Sequence, residues 1–196
     1  MKSIVLASGN PGKKAEIEQL LAPFGTRVIA QADLGITEAE EPYETFFENA
    51  LAKARHAAFA TRLPALADDS GICVDALGGA PGVHSARYAG EPRSDARNNE
   101  KLLFDLKDKN DRSAHYVCVL VLVRGPGDTE PLVAQAEWHG EIAHAPRGTN
   151  GFGYDPYFIV PGLGKTAAEL APEDKNRLSH RGQALARLLE MLKDGS

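Results

Sequence analysis

Ile4-Val5-Leu6-Ala7-Ser8-Gly9-Asn10-Pro11-Gly12-Lys13 is an apolar run that breaks on two glycines and a proline, and a helical pattern follows it. A buried strand that turns on glycine into a helix N-terminus predicts an α/β protein. The same geometry suits phosphate. Backbone N–H groups face such a turn, and the positive end of the helix dipole favours an anion there. Lys13 stands at the helix start, where the dipole disfavours a cation, so the position points to an anion beside it. The run is not a P-loop: G-x-x-x-x-G-K-[ST] requires Gly at 7 and Ser or Thr at 14, and this chain has Ala7 and Lys14. An ordinary strand-to-helix loop with a solvated lysine has the same composition, so the stretch alone supports both readings.

Working outward, the spacing predicts a helix over 13–24, with Ile17, Leu20, Leu21 and Phe24 on one face, and a strand over 27–30 after Gly25. A long helix over 45–61 carries an alanine-rich stripe. A strand over 64–67 runs into Asp68-Asp69-Ser70-Gly71, and Ile72 to Val74 pairs nearby. A helix over 96–106 follows, capped by Ser94 or Asp95. Strands over 115–123 and 132–138 flank Gly125-Pro126-Gly127-Asp128, a hairpin signal. The pattern ends with a glycine-rich loop at 148–155, a strand over 157–160 and a helix over 182–192. Helices alternate with strands early and a hairpin appears late, which argues for α/β with a mixed sheet. Residues 1–196 read as one domain, without repeat or linker.

The net charge is −5, so no basic footprint points to a nucleic-acid polymer as partner. The longest apolar run, Tyr116 to Val123, is too short to span a bilayer, and no membrane partner is expected. Two cysteines, Cys73 and Cys118, make neither a disulfide framework nor a metal cluster, so the expected compartment is reducing and cytoplasmic.

Four groups of residues carry candidate chemistry. Asp68 and Asp69 follow an apolar strand, where α/β sheets bind ligands. Adjacent carboxylates suit a divalent cation such as Mg²⁺, and in extended chain one aspartate faces the ligand while the other supports it. A solvated Asp-Asp-Ser-Gly turn is the competing reading. Glu40-Glu41 is a solvated acidic pair unless it joins Asp69 on a metal. Phe152, between Gly151 and Gly153, is free to stack on a flat base or, with Tyr154, to anchor its loop in the core. Lys175, Ser179, His180 and Arg181 form a cationic cluster, either a solvated helix start or a set of donors for carbonyl oxygens. Lys53 reads as surface unless a phosphate lies near it.

Together these residues resemble the inosine triphosphate pyrophosphatase family, the bacterial dITP/XTP pyrophosphatases. The resemblance runs through Ser8–Lys13, Glu40-Glu41 with Phe47-Glu48-Asn49-Ala50 and Lys53-Ala54, Ala67–Gly71, Gly78–Gly82 with Ser85–Tyr88, Gly151–Pro156, Lys165–Leu170 and Ser179–Gly182. It implies an elongated two-lobed α/β fold, with a central mixed sheet flanked by helices, an active-site cleft between the lobes, and a homodimer. It implies hydrolysis of ITP, dITP and XTP between the α- and β-phosphates. Ser8, Gly9, Asn10, Pro11, Gly12 and Lys13 would hold the triphosphate, with Lys53 assisting and Ser70 touching the substrate. Lys13 and Asp68 would join Asp69 in catalysis, Asp69 activating the attacking water. Glu41 and Asp69 would hold Mg²⁺. Phe152, Gly153, Tyr154, Asp155, Lys175, His180 and Arg181 would form the base pocket. Two alternatives remain: a Maf-like nucleotide pyrophosphatase, against which the Phe152–Asp155 loop and the Ser179-His180-Arg181 run argue, and a nucleotide-binding module without catalysis, which would need the cations and Phe152 but not the aspartate pair.

Overall fold

The opening apolar run forms strand β1, Ser3–Ala7, with residues 4–7 buried. It has a parallel neighbour on each side, β2 at Arg27–Ala30 and β3 at Ala65–Val74. Parallel strands need crossovers, and two helices supply them: α1, Pro11–Leu21, before β2, and α2, Phe46–Thr61, before β3. These coordinates are a computed structural model that describes residues 3–194. Strands β4, Ser113–Val123, β5, Leu132–Ile142, and β6, Phe158–Ile159, complete a six-stranded sheet in the order β2-β1-β3-β4-β5-β6. The sheet is mixed, because β6 runs antiparallel to β5. Helices α3, Asp95–Asp105, α4, Pro172–Leu178, and α5, His180–Asp194, account for the remaining long elements.

Two compact units divide the described chain. The first holds residues 3–69, 118–136 and 181–194, and the second residues 70–117 and 137–180. In the first, Ile4, Leu6 and Leu66 from the parallel strands pack with Ile17 of α1, Leu120 of β4 and Leu185 of α5. In the second, Ile72, Leu102, Tyr116, Trp138 and Phe158 form the centre of a core that is richer in aromatics.

The local chemistry matches the elements. Pro11 stands in the first turn of α1, where its missing N–H costs nothing, and Asn10 caps the helix, its Oδ1 accepting from the N–H of Gly12 at 2.9 Å and of Lys13 at 3.1 Å. Thr45 caps α2 through the N–H of Glu48. Ala50, Ala54, Ala57 and Ala58 of α2 are wholly buried.

The structure departs from the sequence expectations in three places and decides between two readings in a fourth. The helix expected over 13–24 stops at Leu21, and 22–24 form a 3-10 turn closed by Gly25 in the left-handed region, which leaves Phe24 exposed instead of facing inward. Of the two readings open for Asp68-Asp69-Ser70-Gly71, the extended one holds, the run being continuous strand within β3. Helix α4 lies between 160 and 182, where the sequence pattern assigned no element, its first turn carrying Pro172, Glu173 and Asp174. The strand over 157–160 shortens to two residues after a 3-10 turn at Asp155–Tyr157.

Candidate active site

Strand alternation sorts the two aspartates. Asp68, two residues after Leu66, shares that residue's face of β3 and meets residues of α1 and α5. Its Oδ1 pairs with the Lys13 ammonium, and its Oδ2 accepts from Arg181 Nε at 2.9 Å and from Cys118 Sγ at 3.1 Å. Arg181 in turn pairs with Glu16, one turn beyond Lys13 on α1. Asp68 is fully buried and Arg181 only 2% exposed. Burial alone would raise the Asp68 carboxyl, yet Arg181 and Lys13 hold it well below the usual carboxylate range. Burial, reinforced by Asp68, pushes the Cys118 thiol well above its ordinary value, so Cys118 stays a protonated donor. Lys13 and Arg181 both sit at helix N-termini, where the dipole disfavours a cation. Asp68 is the anion that the position of Lys13 called for.

Asp69 turns to the opposite face and meets α2. Lys53 Nζ donates to Asp69 Oδ1 at 2.7 Å and to Glu41 Oε1 at 3.1 Å. Burial opposes the charge on Lys53, but Asp69 and Glu41 outweigh it and raise its pKa. Burial dominates at Asp69, which titrates above an ordinary aspartate despite Lys53 and Lys13. Asp69 Oδ2 is buried without a hydrogen-bond partner among the described residues. An orphaned carboxylate oxygen is costly. Together with the nearby Glu41 it is a hard-oxygen donor pair that fits Mg²⁺, which binds through one or two carboxylates and completes its shell with water and phosphate oxygens. No group of three or more His, Cys, Asp or Glu side chains among the described residues is arranged to hold a metal by itself.

The register places this centre. Ala7 of β1 pairs with Ala67 of β3, so the chain leaves β1 into Ser8 level with the point where β3 reaches Asp68. In the turn, Ser8 Oγ accepts from the N–H of Asn10 at 3.2 Å. The N–H groups of Gly12 and Lys13 serve the Asn10 cap, so the helix end presents its dipole and the Lys13 ammonium. The Glu38 carboxylate lies where a side chain on Gly9 would have to go. Ser70, next along β3, is half-buried.

The second unit gathers most of the remaining expected residues. Asp155 Oδ2 accepts from Lys175 Nζ at 2.6 Å and from the N–H of Phe152 at 2.9 Å, while Oδ1 accepts from the Tyr116 hydroxyl at 3.2 Å. The Lys175 ammonium lies 4.8 Å from the centre of the Phe152 ring, a cation–π distance. His180 stacks on Tyr116 with ring centroids 4.6 Å apart and planes 5° apart. Tyr154 is buried and donates to Ser85 O at 2.7 Å. Of the two readings for these aromatics, Tyr154 takes the anchor, whereas Phe152 lies half-buried under the lysine. Arg181, expected with this group, is placed with Asp68 and Glu16.

At the start of this loop Gly148 has φ 79°, and the backbone of Ala168 fills the space a side chain would need. Gly148→Ala is expected to cost about 1–3 kcal/mol, read as a lower urea midpoint with an unchanged slope.

Fold and charge together define the class: an α/β protein with a mixed sheet and a charged centre at the carboxyl end of its middle parallel strand. Within that class the chain belongs to the Ham1 family, whose model matches residues 4–191. It is 63% identical over 194 residues to the dITP/XTP pyrophosphatase of Nitrosomonas europaea, covering 99% of this chain and 96% of the relative. It is 62% identical over 196 residues to the dITP/XTP pyrophosphatase of Ralstonia nicotianae, covering 98% of each. Among solved structures it matches a HAM1 protein from Coxiella burnetii with a TM-score of 0.90 at 50% identity, over 99% of this chain and all of the other. The Ham1 protein of Staphylococcus aureus matches with a TM-score of 0.87 at 43% identity over the whole of both chains.

Four further residues of these networks had no role at the site assigned to them from the sequence. Glu16 and Cys118 complete the Asp68 network, and Tyr116 and Ser85 hold the second-unit loop. Only Glu16 left a signal, its i,i+3 spacing from Lys13 on one helix face.

Proposed function

We propose that this chain hydrolyses dITP, XTP and ITP to the nucleoside monophosphate and pyrophosphate, clearing these nucleotides from the cellular pool. The observation that carries the reading is Asp69: a buried carboxylate, steadied on one oxygen by Lys53, with the other oxygen lacking a hydrogen-bond partner among the described residues. Relatives about 60% identical over nearly the full length bear the name of this activity.

Cleaving a phosphoanhydride demands charge neutralisation and an oriented water more than a covalent nucleophile. Lys13, Lys53 and the positive end of α1 provide fixed positive charge for the triphosphate, with Ser8 to Gly12 shaping the turn around it. Asp68 takes no proton in this scheme; held ionised by Arg181, it keeps the Lys13 ammonium in place. Asp69 Oδ2 accepts the proton of the attacking water, and burial suits it to that task by raising its affinity for a proton. Glu41 and Asp69 would hold Mg²⁺, which when bound neutralises phosphate oxygens and acidifies water. Ser70, next along β3, would touch the substrate.

The second unit would read the base. Hypoxanthine and xanthine present an oxygen at C6, which Lys175 can bond, while Phe152 offers a stacking face and Gly153 to Asp155 and His180 complete the pocket. Adenine presents an amino group there, which cannot accept from Lys175, and a mismatch of that kind is worth orders of magnitude in discrimination.

Incubation with ITP and Mg²⁺, with GTP and ATP in parallel, tests the proposal by ion-exchange analysis of products. IMP and pyrophosphate from ITP, with little from the other two, is the expected result, and excess chelator abolishes turnover. IDP with orthophosphate would overturn the assigned position of attack. Bound ITP without turnover would favour a binding module. No helix among the described residues is long and apolar enough to cross a membrane. A cytoplasmic homodimer completes the proposal, and sedimentation of the purified protein checks the dimer.

A further inference from the structure

We propose that Asp95 and Asn99, at the start of α3, are positioning residues for base recognition: they grip Gly153 by both its backbone groups and so set the Phe152 ring before a nucleotide arrives. The inference rests on the assignment of the Phe152–Asp155 loop to the base.

The N–H of Gly153 donates to Asp95 Oδ2 at 2.8 Å. Its carbonyl accepts from Asn99 Nδ2 at 2.9 Å, and the same amide donates to Asp95 O, also at 2.9 Å. Both hydrogen-bonding groups of Gly153 are therefore committed to a helix more than fifty positions earlier in the chain. Packing does not hold this residue. Gly153 has φ 62°, and a side chain built on it would meet nothing within 4 Å. Gly148, at the start of the same loop, is by contrast walled in by the backbone of Ala168. Gly153 is therefore placed by its hydrogen bonds from α3, while Asp155 holds the N–H of Phe152 beside it.

Helix α3 is a firm support. Asn98 binds the chain on three sides, donating to Ser85 O and Ala86 O and accepting from the N–H of Ala89, and Leu102 is wholly buried. Tyr154, the other neighbour of Gly153, donates to the same Ser85 carbonyl. Gly153 and Tyr154 are thus tied to one rigid piece of structure. Phe152 is left as the member of the run whose ring faces a cation instead of the core. A loop fixed in its binding form loses less entropy when ligand binds. Asn99 is buried and Asp95 exposed, so the Asn99 bond is better shielded from competing water.

The test compares wild type, Asp95→Ala, Asp95→Asn and the double variant Asp95→Ala/Asn99→Ala in steady-state hydrolysis of ITP and GTP, with amide hydrogen exchange across 150–156. In the double variant, KM for ITP is expected to rise about tenfold, kcat to stay within about twofold, and the preference for ITP over GTP to shrink. Exchange at Phe152 and Gly153 is expected to quicken. Asp95→Asn keeps an acceptor and should stay near wild type in KM, unlike Asp95→Ala. A purely structural role would lower stability and the active fraction with KM and preference unchanged, and that pattern overturns the proposal, as does unchanged exchange. Wild type without ITP turnover would instead overturn the functional reading, and exchange at Gly153 would still decide whether α3 holds the loop.

Discussion

Asp69→Asn is expected to lower kcat for ITP by about 10²–10⁴-fold, the usual contribution of a positioned general base, while the protein keeps its fold. Asparagine has the same shape and retains an oxygen for Lys53, which still has Glu41 as a partner. It has no oxygen of carboxylate basicity to take a proton from water. Stability is expected to hold or rise. The wild-type carboxylate is buried, its Oδ2 has no partner among the described residues, and its raised pKa records a charged form disfavoured by its surroundings. Replacing it with a neutral group removes that strain, the trade between stability and activity common in active sites. Thermal unfolding beside ITP turnover checks both halves. A fully active variant would sink the role of Asp69 as base, and an unfolded one would mean the Lys53 bridge is structural.

The two aspartates show how far the sequence carries and where it stops. Their neighbourhood to an apolar strand marked them, and period-two alternation assigned them opposite faces, one for a ligand and one for support. Composition, however, makes Asp-Asp-Ser-Gly a turn, and the structure has continuous strand there. The charges that permit strand come from elsewhere in the chain: Arg181 lies 113 positions from Asp68, and Lys53 lies on a separate helix. Long-range pairing of this kind leaves no local trace. Lys53 was more legible than its residue type suggests. It stands three residues after Ala50 and four before Ala57, on the stripe that buries those alanines, so the spacing places it inward although lysines usually face water. Phe24 failed for the opposite reason, since the pattern extended a helix through Pro23 that Gly25 ends in a 3-10 turn. Helix α4 was missed because only seven residues compose it and its apolar content is a single leucine.

Asp68→Ala is expected to cost about 3–5 kcal/mol of stability, the range for breaking a buried ion pair by deleting one partner. The loss arises less from the vanished attraction than from what stays behind. Arg181 is 2% exposed and would lose the buried Asp68 carboxylate while its pair with Glu16 remains. Cys118 would lose the acceptor for its thiol. Lys13, more exposed than Arg181, can turn toward water and adds little to the penalty. Arg181→Met alone should also destabilise, because it deprives the buried Asp68 carboxylate of the guanidinium that helps hold it ionised. The pair Asp68→Ala with Arg181→Met should then cost less than the two single changes added together, since neither partner is left behind. Urea unfolding of all four proteins gives the coupling directly, and a magnitude of about 1–3 kcal/mol is expected. Strict additivity would show that each residue is held by other partners and that Asp68 is not the hinge of the network. Activity separates the same residues differently. Arg181→Met leaves Lys13 its partner, so a folded sample should retain more turnover than Asp68→Ala, in which the Lys13 ammonium has lost the carboxylate that aims it.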